Sequence, residues 1–233
     1  MSDWSDPRVR RGMQRQLEQR NRLIADGARA VGWKAGFGTR QAMEAIGTTA
    51  PITAFMTDRS LVPDGGEASI TGWKAPMVEV EIAVRLGSDL PGGSDRAAVE
   101  RAVGALAPAI ELVDLDGPRG PEDLEDVIAS GIFHRGLVLG ELVDRASVSL
   151  DEVRLTVDRT AGRHAEGVDP TVATGDPLEV VRAIADLLED AGERLRAGEI
   201  VIAGAAIPPF AAEAGETVTA RFDGLGAVSV ALR

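Results

Sequence analysis

The sequence predicts an α+β fold, a single domain with most of its core in sheet and with helices flanking it. Three observations carry this. Pro76 to Leu86 (PMVEVEIAVRL) alternates with the two-residue period of a strand. The chain closes on ETVTARFDGLGAVSVAL, two further alternating runs around a DGLG turn. Between such runs lie capped helical stretches, and no linker or shift in composition divides the 233 residues.

In chain order, residues 6–30 are expected to be helical. Asp6 can cap, Pro7 suits the first turn, and Met13, Leu17, Ile24 and Ala28 recur at roughly helical spacing. Val31 to Gly38 (VGWKAGFG) is too rich in glycine for a helix interior and is expected to be a short strand entering a loop. Lys34 sits between Gly32 and Gly36, where missing side chains let backbone or ligand come close, and a lysine so placed can hold a carboxylate or enolate oxygen. A short helix over Thr39 to Ile46, stopped by Gly47, leads into irregular chain with proline breaks. There Asp58 and Asp64 are expected in turns or caps, and Lys74 on the surface.

On the Pro76–Leu86 strand, Val78, Val80, Ile82, Val84 and Leu86 share one face, and Glu79, Glu81, Ala83 and Arg85 share the other. The two glutamates lie about 6.5–7 Å apart at Cα. In a dry site both stay ionised only with a cation between them, whereas on a wet strand face Arg85 suffices to screen them. Ser94 is expected to cap a helix running to Leu106, and Pro108 to open a strand, PAIELVDLD, on which Glu111 shares a face with Ala109 and Val113. Three carboxylates suit Mg²⁺ or Mn²⁺ better than Zn²⁺, which favours nitrogen and sulfur.

Residues 117–130 have loop composition, and GIFHRGLVLGE behind them is strand-like, with His134 near its start. His164 is expected in a hairpin turn. Asp176-Pro177 starts an amphipathic helix carrying Val180, Val181, Ile184, Leu187, Leu188 and Leu195 and ending at Gly198. A buried strand, EIVIAGA, follows.

The net charge of −12 argues against nucleic acid or an anionic membrane as partner, and no Lys/Arg-rich run occurs after residue 20. The absence of cysteine excludes thiolate metal sites, disulfides and cysteine nucleophiles. The N-terminal residues lack the apolar centre of a signal peptide and no 18-residue apolar run occurs, so a soluble cytoplasmic protein is expected.

Taken together, the pieces GWKAG, P-x-VEVEIA, PAIELVD, G-x-VLG, TGDPL, AGEIVIAG and AGETVTARFDGLGAVSV, in this order, resemble the fumarylacetoacetate hydrolase superfamily. Within it they most resemble the branch of 2-keto-4-pentenoate hydratases and 4-oxalocrotonate decarboxylases, from about Val31 to the C-terminus. The resemblance implies a mixed, highly curved sheet in a catalytic domain over 31–233, with 1–30 as an N-terminal helical segment. It implies Mg²⁺ or Mn²⁺ held by Glu79, Glu81 and Glu111, with Lys34 holding a 2-oxo acid substrate, in a homo-oligomer. The branch also carries a segment like D-x-x-A-D-N-x-S-S that supplies an acid and a hydroxyl. This chain has EDVIASGIFHRG there, so no serine role passes to Ser130, and His134 becomes the candidate acid or base. That departure bears on water addition more than on metal or 2-oxo acid binding.

The implied activity is a lyase acting through a metal-stabilised enolate, hydratase-like first. The alternatives are a decarboxylase, an acylpyruvate-type C–C hydrolase, a non-catalytic binding relative, and a β-rich module with structural Ca²⁺. Substrate specificity is expected to lie in Pro51 to Asp64 and Gly117 to Arg135.

Overall fold

The computed structural model describes residues 6–117, 120–160 and 162–233. Helix α1 (Pro7–Ala25) begins as expected, with the Asp6 carboxylate accepting from the Arg8 N–H at 2.8 Å. It stops short of Ala28. The N–H of Ala28 donates to Leu23 O and that of Gly27 to Ile24 O, both at 3.0 Å, while Gly27 adopts φ 87°, the closed left-handed ending that glycine favours.

The strands β1 (Ala30–Gly36) and β2 (Ile52–Thr57) pair antiparallel, with α2 (Arg40–Ile46) between them, capped by Thr39 and terminated by Gly47. Asp58 and Asp64 are turn residues: Asp58 accepts from Arg29 N–H at 2.9 Å and Asp64 from Ser229 N–H at 2.8 Å. Two short strands, β3 (Leu61–Val62) and β4 (Glu67–Ala68), lead to β5 (Pro76–Leu86), which has the bounds the alternation predicts. Lys74 is exposed and pairs with Asp116.

After β5 the expectation fails in detail. Asp95, not Ser94, caps α3 (Arg96–Ala102), accepting from Ala98 N–H at 2.8 Å, and β6 (Val103–Asp114) starts five residues before Pro108. Pro108 is therefore mid-strand. It is tolerated because it falls between the two segments of β6 that pair on that side: Ala105 and Leu106 with β8 (Val143–Asp144), and Ala109 to Val113 with β7 (His134–Leu139).

The stretch read as loop contains α4 (Leu124–Ala129). Its glycines and prolines masked the helical spacing of Leu124, Val127 and Ile128, all buried. This helix lies against α1 so closely that a Cβ on Gly12 would come within 2.8 Å of Ile128 Cβ. Gln16, fully buried on α1, is satisfied there: its amide donates to Ile128 O at 2.7 Å and to Thr53 O at 3.2 Å, and accepts from Phe55 N–H at 3.0 Å.

The rest comprises β9 (Leu155–Arg159), β10 (Gly162–Val168), α5 (Pro177–Asp190), β11 (Ile200–Ala205), β12 (Phe210–Ala211), β13 (Thr217–Phe222) and β14 (Gly226–Leu232). His164 lies within β10, not in the turn before it. Helix α5 ends at Asp190, ahead of Leu195, which instead bridges to Leu90; Gly192 with φ 79° follows the helix end.

Two sheets result. One runs β2-β1-β11-β5-β6-β7-β3, with β12 joining β5 and β8 joining β6; the other runs β10-β9-β13-β14-β4. Parallel and antiparallel pairs mix in both, and the first curls into a half-barrel. The principal core is lined by Val78, Val80, Ile82, Val84 and Leu86 of β5 and extends into the second sheet. Among the described residues, no helix is long and apolar enough to cross a membrane.

Candidate metal centre

Strands β5 and β6 are in register with Glu79 opposite Glu111 and Glu81 opposite Ala109. Because side chains alternate, this pairing sets all three carboxylates on one face. One oxygen from each of Glu79, Glu81 and Glu111 lies within 4.8 Å of the other two. Glu81 and Glu111 are fully buried and Glu79 is half-buried. The wet strand face considered for the E-x-E pair is thus not what the chain forms.

Lys34 arrives from the other side. From β1 it crosses β11 in register, Lys34 opposite Ile202 and Ile202 opposite Ala83 of β5, so it shares the glutamate face. Its Nζ lies 2.6 Å from Glu111 Oε1 and donates to Ile132 O at 3.1 Å. The flanking glycines do what their spacing suggests. A Cβ on Gly32 would meet Ile200 O at 1.9 Å, and one on Gly36 would meet Ile132 Cγ2 at 2.6 Å.

Glu81 is held differently. A register shift in β11 between Ile202 and Ala205 turns the Gly204 N–H toward it, and Glu81 Oε2 accepts that hydrogen bond at 2.7 Å. His134 stands behind Glu111, with Nδ1 2.8 Å from Glu111 Oε1 and Nε2 2.9 Å from Ser60 Oγ. Both ring nitrogens are therefore engaged, and His134 is not among the residues that line the adjoining cavity.

The electrostatics follow from burial. Burial pushes the Glu79 carboxyl up to about 7, with the charge on Glu111 adding to it. Burial and the neighbouring Glu111 and Glu79 push Glu81 well above the usual carboxylate range. For Glu111 burial acts the same way, but Lys34 and His134 outweigh it and hold its pKa below the usual value. Burial opposes the Lys34 charge, yet Glu111, Glu79 and Glu81 raise its pKa above that of a free lysine. The centre is short of positive charge. Glu81 Oε1 and Glu111 Oε2 are buried with no hydrogen-bond partner. An oxygen-only donor set with two unpartnered carboxylate oxygens fits a hard divalent ion such as Mg²⁺ or Mn²⁺.

In front of Lys34 and Glu79 lies a cavity of about 490 Å³. The expected specificity segment Pro51 to Asp64 contributes nothing to its wall. The other expected segment, Gly117 to Arg135, contributes Ile132 and Phe133, and the rest of the wall comes from residues between Lys34 and Ala45, from Val113 and Leu115, and from Thr174, Gly204, Ala205 and Pro209. Sequence reasoning missed Thr174, whose signal was its place in TGDPL. Its hydroxyl donates to Ala205 O at 2.7 Å, and its methyl fills the space that a Cβ on Gly38 or Gly204 would need.

A curled mixed sheet that gathers three carboxylates, two of them fully buried, and a buried lysine beside a cavity fits one class, the metal-dependent enzymes. Within that class the chain belongs to the fumarylacetoacetate (FAA) hydrolase C-terminal family, whose model matches residues 25–233. A 4-oxalocrotonate decarboxylase from Pseudomonas sp is 33% identical over 207 residues, covering 88% of this chain and 80% of the relative. A 2-hydroxyhexa-2,4-dienoate hydratase from Comamonas testosteroni is 29% identical over 210 residues, covering 88% and 79%. The fold is similar to 4-oxalocrotonate decarboxylase from Pseudomonas putida G7, solved with magnesium and adipate. There the TM-score is 0.85 at 27% identity, over 94% of this chain and 83% of that one.

Proposed function

We propose that this chain is a lyase for 2-oxo acids dependent on Mg²⁺ or Mn²⁺, in which Glu79, Glu81 and Glu111 hold the ion. Hydration of a conjugated double bond is the first reading and decarboxylation the second. The observation that carries it is the meeting of three carboxylate oxygens within 4.8 Å, beside Lys34, at the wall of a cavity. The named decarboxylase and hydratase relatives support the same class of reaction.

When bound, the ion supplies Lewis-acid stabilisation of negative charge developing on the substrate's 2-oxo group. Lys34 adds fixed positive charge at the cavity wall and pairs with the substrate's carboxylate or enolate oxygen. Gly204 fixes Glu81 through its N–H. His134 fixes Glu111 and, in this reading, is a positioning residue instead of the acid or base expected from sequence. Lys34 and Glu79 are the ionisable side chains lining the cavity among the described residues; with Glu79 on the ion and Lys34 held charged, the proton at C3 is carried by water in this reading.

The test follows dienol and 2-oxo acid consumption by ultraviolet absorbance, with and without Mg²⁺ or Mn²⁺, in the parent protein and Glu79→Gln. Metal-dependent turnover lost in the variant is expected. Metal-dependent binding of 2-oxo acids without turnover would favour a binding relative, and neither would end the proposal. A cytoplasmic setting and a homo-oligomer belong to the same proposal, the latter checked by sedimentation.

A further inference from the structure

The metal centre is fastened to the seam of its own sheet. β2 and β3 are the two ends of the larger sheet's strand order, and the turn Asp58–Ser60 joins one directly to the other. That turn is pinned on its outer side. Asp58 accepts from the Arg29 backbone N–H and from its Nε–H, both at 2.9 Å, and Arg59 donates to Asp26 O at 2.7 Å. At the last position of the turn, Ser60 Oγ lies 2.9 Å from Thr57 O and 2.9 Å from His134 Nε2.

His134 reaches Glu111 because β7 is irregular. Glu111 stands opposite Leu137 and Leu112 opposite Gly136, but Val113 stands opposite His134, so Arg135 is the extra residue of a bulge. In an unbroken ladder Arg135 would face Val113, and His134 would fall on the other side of the sheet. The bulge brings the ring to the glutamate face, with Nδ1 2.8 Å from Glu111 Oε1. The same oxygen is 2.6 Å from Lys34 Nζ, while Glu111 Oε2 is buried with no hydrogen-bond partner.

Two partners on Oε1 thus fix the carboxylate and leave its other oxygen open. An imidazole alone is a poor clamp, because rotation about its last side-chain bond has two broad wells and a half-turn puts carbons where the nitrogens were. Ser60 removes that ambiguity. Only one of the two ring orientations satisfies Glu111 and Ser60 together, and a hydroxyl serves Nε2 equally as donor or as acceptor.

We propose that Ser60 is a positioning residue of the metal centre, holding the His134 ring against Glu111 Oε1 so that Oε2 stays presented to the ion. This rests on Glu111 being a ligand of the ion, as proposed above, and adds a residue outside the cavity wall that acts on metal affinity through His134. It also gives Pro51 to Asp64, which contributes nothing to that wall, a part in the site.

The experiment is Mn²⁺ titration, read per folded molecule from the electron paramagnetic resonance of free ion, of the parent, Ser60→Ala, Ser60→Thr, His134→Ala and the Ser60→Ala/His134→Ala double variant. Ser60→Ala should weaken Mn²⁺ binding about tenfold, the lower end for an outer partner of a ligand. Ser60→Thr, which keeps the hydroxyl, should bind as the parent does. The double variant should bind no more weakly than His134→Ala alone, because a residue that acts only through the ring has nothing left to position.

Three results would overturn the inference: a lower melting temperature for Ser60→Ala with its Mn²⁺ affinity unchanged, losses that multiply in the double variant, or a Ser60→Thr protein that melts with the parent yet binds as weakly as Ser60→Ala. Each of these removes Ser60 alone and leaves the ligand set standing. A parent protein that takes up no Mn²⁺ would end the ligand set itself, and this inference with it.

Discussion

The two faces of β5 differ in what burial does to them. On one face Val78, Val80, Ile82, Val84 and Leu86 leave water for the principal core, where burial and stability run together. On the other, Glu79 and Glu81 are withdrawn from water beside Glu111 with too little positive charge to match them, so burial there works against the fold. Farther along the same face Ala83 is buried and Arg85 is exposed. One strand thus carries a stabilising face and a face whose buried carboxylates favour taking up a proton or a cation. The contrast teaches that alternation tells which residues share a face, but not whether that face is wet.

The largest expected effect breaks the glutamate face. Glu111→Gln should weaken Mn²⁺ uptake by more than the roughly 10–100-fold typical of an outer partner, because Glu111 is the carboxylate that Lys34 and His134 keep ionised. A titration in which the variant binds as the parent does would refute its role. On the opposite face, Ile82→Ala should cost about 2–5 kcal/mol of stability by leaving a core cavity, with metal affinity per folded molecule unchanged. Urea unfolding alongside the same titration separates the two quantities.

His134→Ala should fall between these cases, with metal affinity down about 10–100-fold and modest loss of stability. A loss of turnover with metal affinity intact would instead make His134 an acid or base. The smallest effect is on pH dependence. The raised Glu79 pKa means the folded, metal-free protein binds more protons than the unfolded chain between 4.5, the ordinary glutamate value, and about 7. Its stability should therefore fall as pH rises through that window, and metal affinity should rise over the same range as protons stop competing. In Glu79→Gln that part of the slope should vanish and the metal-free protein should melt higher at pH 7.5. Parallel melting profiles for parent and variant would contradict the assignment.

How much of this was legible varied with the length scale of the signal. The bounds of β5, the shared face of its glutamates and the side of β6 that carries Glu111 are all local period-two patterns, as is the use of Gly32 and Gly36 around Lys34. The register that puts Glu79 opposite Glu111 depends on where α3 ends. With Asp95 as cap and β6 starting at Val103, a sequence reading that ran the helix to Leu106 placed the right residues in a shorter strand. Helix α4 was hidden by the turn-forming residues around it, because its three buried positions make too short a pattern to stand out. The departure from the branch's polar segment singles out His134, and it lies beside Glu111, but only the fold reveals that Glu111 and Ser60 take both its nitrogens. The cavity wall drew on Phe37, Thr174 and Phe133 from three distant segments, which no spacing in the chain connects.

In the proposed enzyme Glu79, Glu81 and Glu111 together bind one hard cation. Titrating the protein with Mn²⁺ and reading free ion by electron paramagnetic resonance tests it most directly. The expected result is one site per chain, displaced by Mg²⁺ and lost in both Glu79→Gln and Glu111→Gln. A parent protein that takes up no Mn²⁺, or variants that bind it with the parent's affinity, would contradict it.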